Sequence, residues 1–250
     1  MVTVDLSADA GEKATDHADE DVLIELVTSV SVACGFHAGD PATMRRPVET
    51  AVRHGVTVGA HPSYLDREGF GRRPLDVAPA RIADDVLYQL GALDAMARAS
   101  GTRVRYVKPH GALYHRVDVD DRCARAVAEA ARVFGDLTLV ASAGSAARLA
   151  ALHLGVAVAA EAFADRGYLA DGRLAPRTSP GAVLTHPEVA ARQAVSLATE
   201  GVVTALDGTK VTVAAASICV HGDTPGALSI ARAVRAALEA AGVTIAPFAP

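Results

Sequence analysis

Short apolar runs recur along the chain, with segments of helical periodicity between them. The runs are apolar at successive positions, which is typical of strands in a parallel sheet that is covered on both faces. Alternation of strands and helices predicts an α/β fold with right-handed crossovers. The predicted strands are residues 2–8, 30–35, 56–60, 104–108, 137–141, 156–160 and 215–220, with a candidate eighth at 243–246.

Capping residues mark the ends of some helices. Asp40 followed by Pro41 predicts an N-cap and a first helical turn, and Gly55 predicts the end of that helix. Another helix is indicated by apolar residues that recur at helical spacing: Ile82, Val86, Leu90 and Leu93.

Two segments interrupt the alternation. Residues 163–180 form a long stretch with Gly, Pro and Arg, which favours a functional loop over a linker. Residues 202–213 place Asp207-Gly208 between two apolar arms, which predicts a hairpin with a two-residue turn. No shift in composition marks a boundary, so residues 1–250 are predicted to form one domain.

Composition narrows the class of protein. Half of the residues are apolar and only 4% are aromatic, so an aliphatic core is expected. The net charge of −5 argues against nucleic acid as a partner, and no apolar stretch is long enough to predict a membrane span. The absence of a basic leader and the three widely spaced cysteines, Cys34, Cys123 and Cys219, favour a reducing, cytoplasmic location.

Nearly every predicted strand ends in polar residues. In parallel α/β folds the carboxyl ends of the strands converge on one face, and that face holds the functional site. A single histidine after a strand is more often structural, but four at equivalent positions indicate function. The converging set is Asp9, Glu12, His37, His61, Lys108, His110, Glu161, Asp165, Arg166 and His221.

Lys108 is the most informative of these residues. A lysine at the inner end of a buried strand loses hydration, which predicts a lowered pKa and a role as acid, base or electrostatic partner. The alternative is a structural ion pair with Asp9 or Glu12.

Two binding roles are also suggested by residue type. Asp9, His61 and His110 would provide a His/His/carboxylate set for a divalent metal, although they are far apart in sequence. Arg72, Arg73 and Arg166 are candidates for binding a substrate carboxylate, with solvated surface arginines as the alternative.

Several common motifs are absent from the sequence. It contains no GxxxxGK[ST] phosphate loop, and Gly208-Thr209-Lys210 falls in the predicted hairpin instead. It also contains no GxGxxG after a strand and no GxSxG nucleophile elbow. If ATP is used, the sequence does not show where this chain would bind it.

Six blocks resemble the family of 5-oxoprolinase A subunits. They are SVACGFHAGDP (31–41), GAHPSYLDREGFGRR (59–73), VKPHGALY (107–114), EAFADRGY (161–168), PR with GA (176–182) and CVHGDTPGA (219–227). The resemblance implies a single-domain, distorted (β/α) barrel of seven or eight mostly parallel strands, related to polysaccharide-deacetylase-like folds. It also implies ATP-dependent opening of 5-oxoproline to L-glutamate, together with partner subunits B and C.

The resemblance extends to individual residues. It matches Asp9, Glu12, His37, His61, Lys108, His110, Asp165 and Arg166 to the family's blocks. Together with the strand-end and arginine arguments, this gives as candidate catalytic residues Asp9, Glu12, Lys108 and His110, and as candidate substrate-binding residues His37, Arg73, Asp165, Arg166 and His221. Lys108 would stabilise developing negative charge, Asp9 or Glu12 would activate water, and His110 would relay a proton. ATP would be a co-substrate handled with the partner subunits, because no phosphate loop is present. Whether the chain also forms a homo-oligomer is left open.

The opening block departs from the family pattern. The family usually has Asn-Cys-Asp-Leu-Gly-Glu followed by Ser-Phe-Gly, whereas this chain has Ser-Ala-Asp-Ala-Gly-Glu at 7–12 and Lys-Ala-Thr at 13–15. Ser31 and His115 stand where Asn is frequent. Two alternatives therefore stay open: a stand-alone metal-dependent deacetylase or amidohydrolase that uses Asp9, His61 and His110, and a non-catalytic scaffold subunit.

Overall fold

The computed structural model describes residues 2–12 and 17–249, so the Lys-Ala-Thr departure at 13–15 lies outside the described residues. The strands are β1 (Thr3–Ala10), β2 (Ser29–Ala33), β3 (Thr57–His61), β4 (Tyr106–Val107), β5 (Thr138–Ser142), β6 (Ala157–Phe163), β7 (Val202–Thr204), β8 (Lys210–Thr212), β9 (Ser217–Val220) and β10 (Thr244–Ile245). The helices are α1 (His17–Glu25), α2 (Pro41–His54), α3 (Pro79–Ala99), α4 (Gly111–Val119), α5 (Asp121–Phe134), α6 (Ala146–His153), α7 (Pro187–Thr199) and α8 (Ala227–Ala240).

Seven parallel strands close into a barrel. Their order is β1-β2-β3-β4-β5-β6-β9, and β9 pairs with β1 to complete the ring. β10 pairs in parallel with the first residues of β1. The helices pack around the outside, where their apolar residues and those of the strands form the main core. The prediction of a distorted (β/α) barrel with seven or eight mostly parallel strands is confirmed.

The extra hairpin is also confirmed, with a different turn. β7 and β8 pair antiparallel, and Thr204 lies opposite Lys210. The expected two-residue turn at Asp207-Gly208 is wrong, because residues 205–209 connect the strands. Within this loop the Gly208 amide donates to the carbonyl oxygen of Ala205, which makes a longer, internally bonded turn.

The helix ends follow the predicted capping chemistry. Asp40 accepts hydrogen bonds from the amides of Ala42 and Thr43, and Gly55 ends α2 with a φ of 67°, which favours glycine. The predicted apolar face of α3 is buried at Ile82, Val86, Leu90 and Leu93. Within the described ranges, no helix is both long enough and apolar enough to cross a lipid bilayer.

The two faces of the strands differ in polarity. Residues such as Leu6, Val30 and Val58 point outward and pack in the main core under the helices. Alternate positions point into the barrel, because side chains change face at each residue of a strand. The expectation that the strands are apolar on both faces is therefore wrong for the inner face, where these buried polar residues lie: Asp5, Ser7, Asp9, Ser29, Ser31, Lys108, Glu161 and Ser217.

Asp5 anchors the polar interior near the amino ends of the strands. Its carboxylate accepts hydrogen bonds from the hydroxyls of Ser29 at 2.7 Å and Ser217 at 2.5 Å. Burial raises the pKa of Asp5, which these hydroxyls and Thr28 partly offset. The hydrogen bonds join β1 to both of its neighbours in the ring.

Tyr106 fills the interior next to this cluster. Its hydroxyl lies 3.2 Å from the hydroxyl of Ser31, and its ring packs against Phe248 at 5.1 Å between centroids. Gly59 lies opposite Tyr106 on β3. A Cβ atom at Gly59 would lie 2.2 Å from the ring of Tyr106, so only glycine leaves room for it.

We expect Gly59→Ala to destabilise the barrel by about 1–3 kcal/mol, because the buried ring of Tyr106 must move to accommodate the new methyl group. Gly91→Ala is the matched control, since a Cβ there meets no atom within 4 Å and the residue lies in α3. The control is expected to stabilise the helix by about 0.5–1 kcal/mol. Urea unfolding of both variants measures the difference. Equal free energies of unfolding would contradict this account of the barrel interior.

Candidate active site

The carboxyl ends of the strands surround a cavity of about 350 Å³, here called the main cavity. Asp9 from β1, His61 from β3 and Phe163 from β6 line it together with residues of the following loops. The loop after β6, predicted to be functional, contributes part of the wall. Lining residues used below are Asp9, His61, Arg72, Lys108, His110, His115, Phe163, Arg166, Arg177 and His221.

Lys108 is held between two buried carboxylates. Its ammonium nitrogen Nζ lies 2.9 Å from Asp9 Oδ1 and 2.9 Å from Glu161 Oε1. The side chain is 3% exposed, so water does not weaken these interactions much. The expected ion pair with Asp9 is present, and the second partner is Glu161 rather than Glu12.

The predicted direction of the Lys108 pKa is wrong. Burial alone would lower this pKa, but the attraction of Asp9 and of the other anionic neighbours outweighs burial and raises the pKa well above its ordinary value. Lys108 is therefore a fixed cation near neutral pH. It can stabilise negative charge, and it cannot serve as a general base.

Asp9 is an ionised carboxylate in this arrangement. Burial alone would raise its pKa, but His61 and Lys108 together lower it well below the ordinary value. Its second oxygen, Oδ2, lies 3.4 Å from Nε2 of His61. Asp9 thus contacts both Lys108, which follows β4, and His61 on β3.

His61 and His110 face each other through ring nitrogens. Nδ1 of His61 lies 2.7 Å from the carbonyl oxygen of Lys108, and Nε2 of His110 lies 2.9 Å from that of Phe70, so both of these nitrogens carry a hydrogen. The remaining nitrogens, His61 Nε2 and His110 Nδ1, are 3.0 Å apart. Two neutral rings would place lone pairs against each other there. The space between them therefore suits a proton or a metal cation.

The electrostatic surroundings assign that proton to His61. Burial would lower the pKa of His61, but Asp9 outweighs burial and raises it. Burial and the neighbouring rings of His37 and His61 lower the pKa of His110 well below its ordinary value. His61 then donates from Nε2 to Nδ1 of the neutral His110.

His37 and Glu12 complete the histidine cluster. The ring of His37 stacks on that of His110 with centroids 3.8 Å apart. Glu12 Oε1 lies 3.1 Å from Nε2 of His37 and 3.4 Å from Nδ1 of His110. Burial is the main cause of a raised pKa at Glu12. His37 thus supports the ring of His110 from behind and is not part of the cavity lining.

One ligand atom from each of Glu12, His61 and His110 lies within 4.8 Å of the others. Two imidazoles and a carboxylate are a ligand set that suits Zn²⁺. The metal set predicted from the sequence has Asp9 in place of Glu12. Asp9 is also adjacent to His61, but its other oxygen is bonded to Lys108.

Asp165 and Arg166 lie at different distances from the cavity: Asp165 is behind its wall, and Arg166 is in the wall. Asp165 is buried behind His221, whose Nδ1 lies 2.9 Å from it, and it also accepts a hydrogen bond from Thr224. Asp165 therefore orients His221, which lines the cavity. Arg166 lines the cavity itself, and its guanidinium donates to the carbonyl oxygens of Ala175 and Ala182.

The structure separates the two neighbouring arginines. Arg73 pairs with Asp66 and is 57% exposed, so it lies outside the cavity and holds its own loop together. Arg72 lines the cavity and pairs with Asp223, which Arg177 also approaches at 3.7 Å. The substrate-binding role suggested for Arg73 thus has no support from its position, and Arg72 occupies the position that this role requires.

Two residues at the centre of the site have no role assigned by the sequence. The sequence indicates Glu161 only as a polar residue at a strand end, and Cys219 as a small buried hydrophobe. Cys219 Sγ lies 3.1 Å from Nζ of Lys108, and burial raises the pKa of this thiol well above its ordinary value. The position of Glu161 near the end of a predicted strand is the one sign of function in its sequence. Its pairing with Lys108 could not be predicted, because the two residues meet only when the barrel closes.

The chain is similar to several known proteins over nearly its whole length. The chain is 52% identical to a protein from Kocuria rhizophila that is named as the A subunit of 5-oxoprolinase, over 100% of both chains. A crystal structure of a lactam utilization protein from Thermus thermophilus is 47% identical, with a TM-score of 0.91 over 98% of this chain and 100% of that one. A family 4 carbohydrate esterase from Streptomyces lividans, 12% identical with a TM-score of 0.54 over 100% of this chain and 94% of that one, shares the fold.

A family model agrees with these relatives over almost the whole chain. It matches residues 4–250, which include the barrel strands except for Thr3 of β1, and every residue assigned to the site above. The chain belongs to the LamB/YcsF family.

Proposed function

We propose that this chain is the A subunit of a 5-oxoprolinase, a hydrolase that opens the lactam ring of 5-oxoproline to L-glutamate. The observation that carries the proposal is the Lys108 ammonium ion, fixed between Asp9 and Glu161 at the floor of a cavity lined by cationic residues. The relatives that are named as A subunits of 5-oxoprolinase, at about half identity over their full length, support it.

The cavity suits a small anionic ring. Arg72, Arg166 and Arg177 line it, and their positive charges attract the carboxylate of 5-oxoproline, with Asp223 as the counter-charge of Arg72 and Arg177. Phe163 and the aliphatic part of the wall offer an apolar surface to the methylene groups of the ring. The volume of about 350 Å³ leaves room for this ligand and for water.

Opening the ring requires water to add to the lactam carbon, the C–N bond to break and the ring nitrogen to gain a proton. Lys108 stabilises the negative charge that develops on oxygen as water adds. Asp9, ionised and facing the cavity, accepts the proton of the attacking water. The proton between His61 Nε2 and His110 Nδ1 is the one available to the departing nitrogen.

We propose that ATP is used on partner subunits B and C. A five-membered lactam recloses readily, because the amine and the carboxylate of the product stay at high effective concentration within one molecule. Opening therefore needs activation, and we propose that phosphorylation of the lactam oxygen occurs on the partners. Addition of water to the phosphorylated ring and cleavage of its C–N bond then give an acyl phosphate of glutamate, which a second water molecule hydrolyses to L-glutamate and inorganic phosphate. The sequence of this chain contains no phosphate loop, which supports that division of labour. The three buried thiols support the proposal of a cytoplasmic location.

Lys108→Met is expected to lower glutamate formation by about a hundredfold or more, because Met keeps the buried length and loses the charge. It also leaves two carboxylates without their cation, so unfolding free energy is expected to fall by about 3–5 kcal/mol. Adding Glu161→Gln to this variant removes one of those charges and should recover part of the stability. Activity should stay low in the double variant.

The assay measures glutamate from 5-oxoproline and ATP with purified B and C subunits, and unfolding is followed in parallel. This chain alone, with ATP, is the control and is expected to release neither glutamate nor phosphate. Near-normal activity in the double variant would remove Lys108 from the mechanism. ATP hydrolysis by the chain alone would contradict the placement of activation on the partners.

A second candidate function is a metal-dependent amidohydrolase, which the cluster of Glu12, His61 and His110 favours. A bound Zn²⁺ would supply an activated water molecule at neutral pH. Asp9, adjacent to His61, would then position that water or orient the histidine.

The second candidate predicts about one equivalent of Zn²⁺ per chain after dialysis against the metal, as measured by elemental analysis. His61→Gln should lose this binding, because it removes a ligand and the partner of His110. His115→Gln is the matched control, since His115 lines the cavity outside the cluster and should leave metal binding unchanged. Equal Zn²⁺ content in the two variants would exclude a site at this cluster.

A further inference from the structure

A second cavity of about 430 Å³ lies beside the main one. It is bounded by the carboxyl end of α4, the loop after β5 and the loop after β6. The two cavities share Phe163 and Leu174 in their walls. Lys108 lies in the lining of the main cavity and its partner Glu161 in that of the second, so their ion pair separates the two spaces.

Glu161 lines the second cavity and has a buried oxygen without a partner. The residue is 2% exposed, and its Oε1 lies 2.9 Å from the Lys108 ammonium nitrogen. Its other oxygen, Oε2, has no hydrogen-bonding partner among residues 2–12 and 17–249. A buried carboxylate oxygen without a donor is costly, so a ligand that brings a donor is stabilised there.

Asp118 presents a second oxygen of the same kind. Its Oδ2 accepts a hydrogen bond of 3.1 Å from the hydroxyl of Ser142, whereas Oδ1 is buried and has no partner within the described part of the chain. Burial, followed by the charge of Glu161, raises the pKa of Asp118 to about 7. Asp118 and Glu161 line the same cavity and interact electrostatically, so a positive charge in that cavity is favoured.

We propose that the second cavity binds a small ligand with a protonated primary amine, whose N–H groups are shared between Asp118 Oδ1 and Glu161 Oε2. A primary ammonium group has three directed donors and matches two unpaired carboxylate oxygens. A metal ion fits less well, because the described residues place no third His, Cys, Asp or Glu ligand with this pair. The cavity is also far larger than a bare ion.

The rim suggests what else the ligand carries. Arg173 lines the cavity, and its side chain is 60% exposed while its guanidinium pairs with Asp171 at 2.7 Å. An amino acid could place its amine on the two carboxylates and its own carboxylate near Arg173. A simple alkylammonium ion would use the first contact alone. The inference does not depend on the proposed reaction, since it rests on unpaired oxygens outside the main cavity.

The test is a titration of the ¹⁵N-labelled wild-type chain, followed by NMR. Methylammonium chloride supplies the amine alone, and L-glutamate supplies an amine with carboxylates. Saturable shifts are expected for the amides of Gly144 and Gly172, which line the second cavity. Tetramethylammonium chloride at equal ionic strength should give none, because it has the charge without the N–H donors. Tighter binding of L-glutamate than of methylammonium would show that the carboxylate contact contributes.

Asp118→Asn should weaken binding at least about tenfold, because it removes a charge-assisted hydrogen bond and keeps the shape of the side chain. Asp84→Asn, on the exposed side of α3, is the matched control and should bind as the wild type does. Absence of saturable shifts with both amines in the wild-type chain would overturn the proposal. So would equal affinities of the Asp118→Asn and wild-type chains. If Asp118→Asn does not fold, the contrast between methylammonium and tetramethylammonium still decides.

Discussion

A buried lysine between two buried carboxylates organises this barrel. Asp9 on β1, Lys108 after β4 and Glu161 on β6 come from separate parts of the ring, and each is almost fully removed from water. Isolated burial of any one of these charges would be very costly, so the three must meet when the barrel closes. The same contact fixes the protonation state of Lys108 and separates the two cavities. Fold and candidate chemistry therefore depend on one arrangement of charges.

His61 and His110 continue the chain of polar contacts from Asp9. Asp9 attracts a proton to His61, and the fixed hydrogen bonds of His61 and His110 to carbonyl oxygens direct their remaining nitrogens toward each other. A cation between those nitrogens relieves the repulsion of two lone pairs, whether it is a proton or a metal. A proton between these nitrogens would support acid–base hydrolysis, and a metal ion there would support metal-assisted hydrolysis, with the same surrounding residues.

Much of the fold could be predicted because strand and helix periods are local properties of the sequence. The hairpin at 202–213, the cap at Asp40 and the polar strand ends all follow from neighbouring residues. The direction of the Lys108 pKa could not be predicted, because burial and ion pairing act in opposite directions and the pairing with Glu161 forms only in the closed ring. Arg72 and Arg73 show the same limit: adjacent side chains with equal chemistry point to different surroundings, and only the fold of their loop separates them.

The protonation state of Lys108 tests the central claim most directly. The chain has three lysines, Lys13, Lys108 and Lys210, so ¹⁵N labelling of the side-chain amines gives a spectrum that Lys108→Met can assign. Because the carboxylates raise the pKa of Lys108, its Nζ resonance should keep the ammonium shift from about pH 6 to about pH 10, through the range where an ordinary lysine begins to titrate. A neutral amine at Lys108, or titration near neutral pH, would contradict the account.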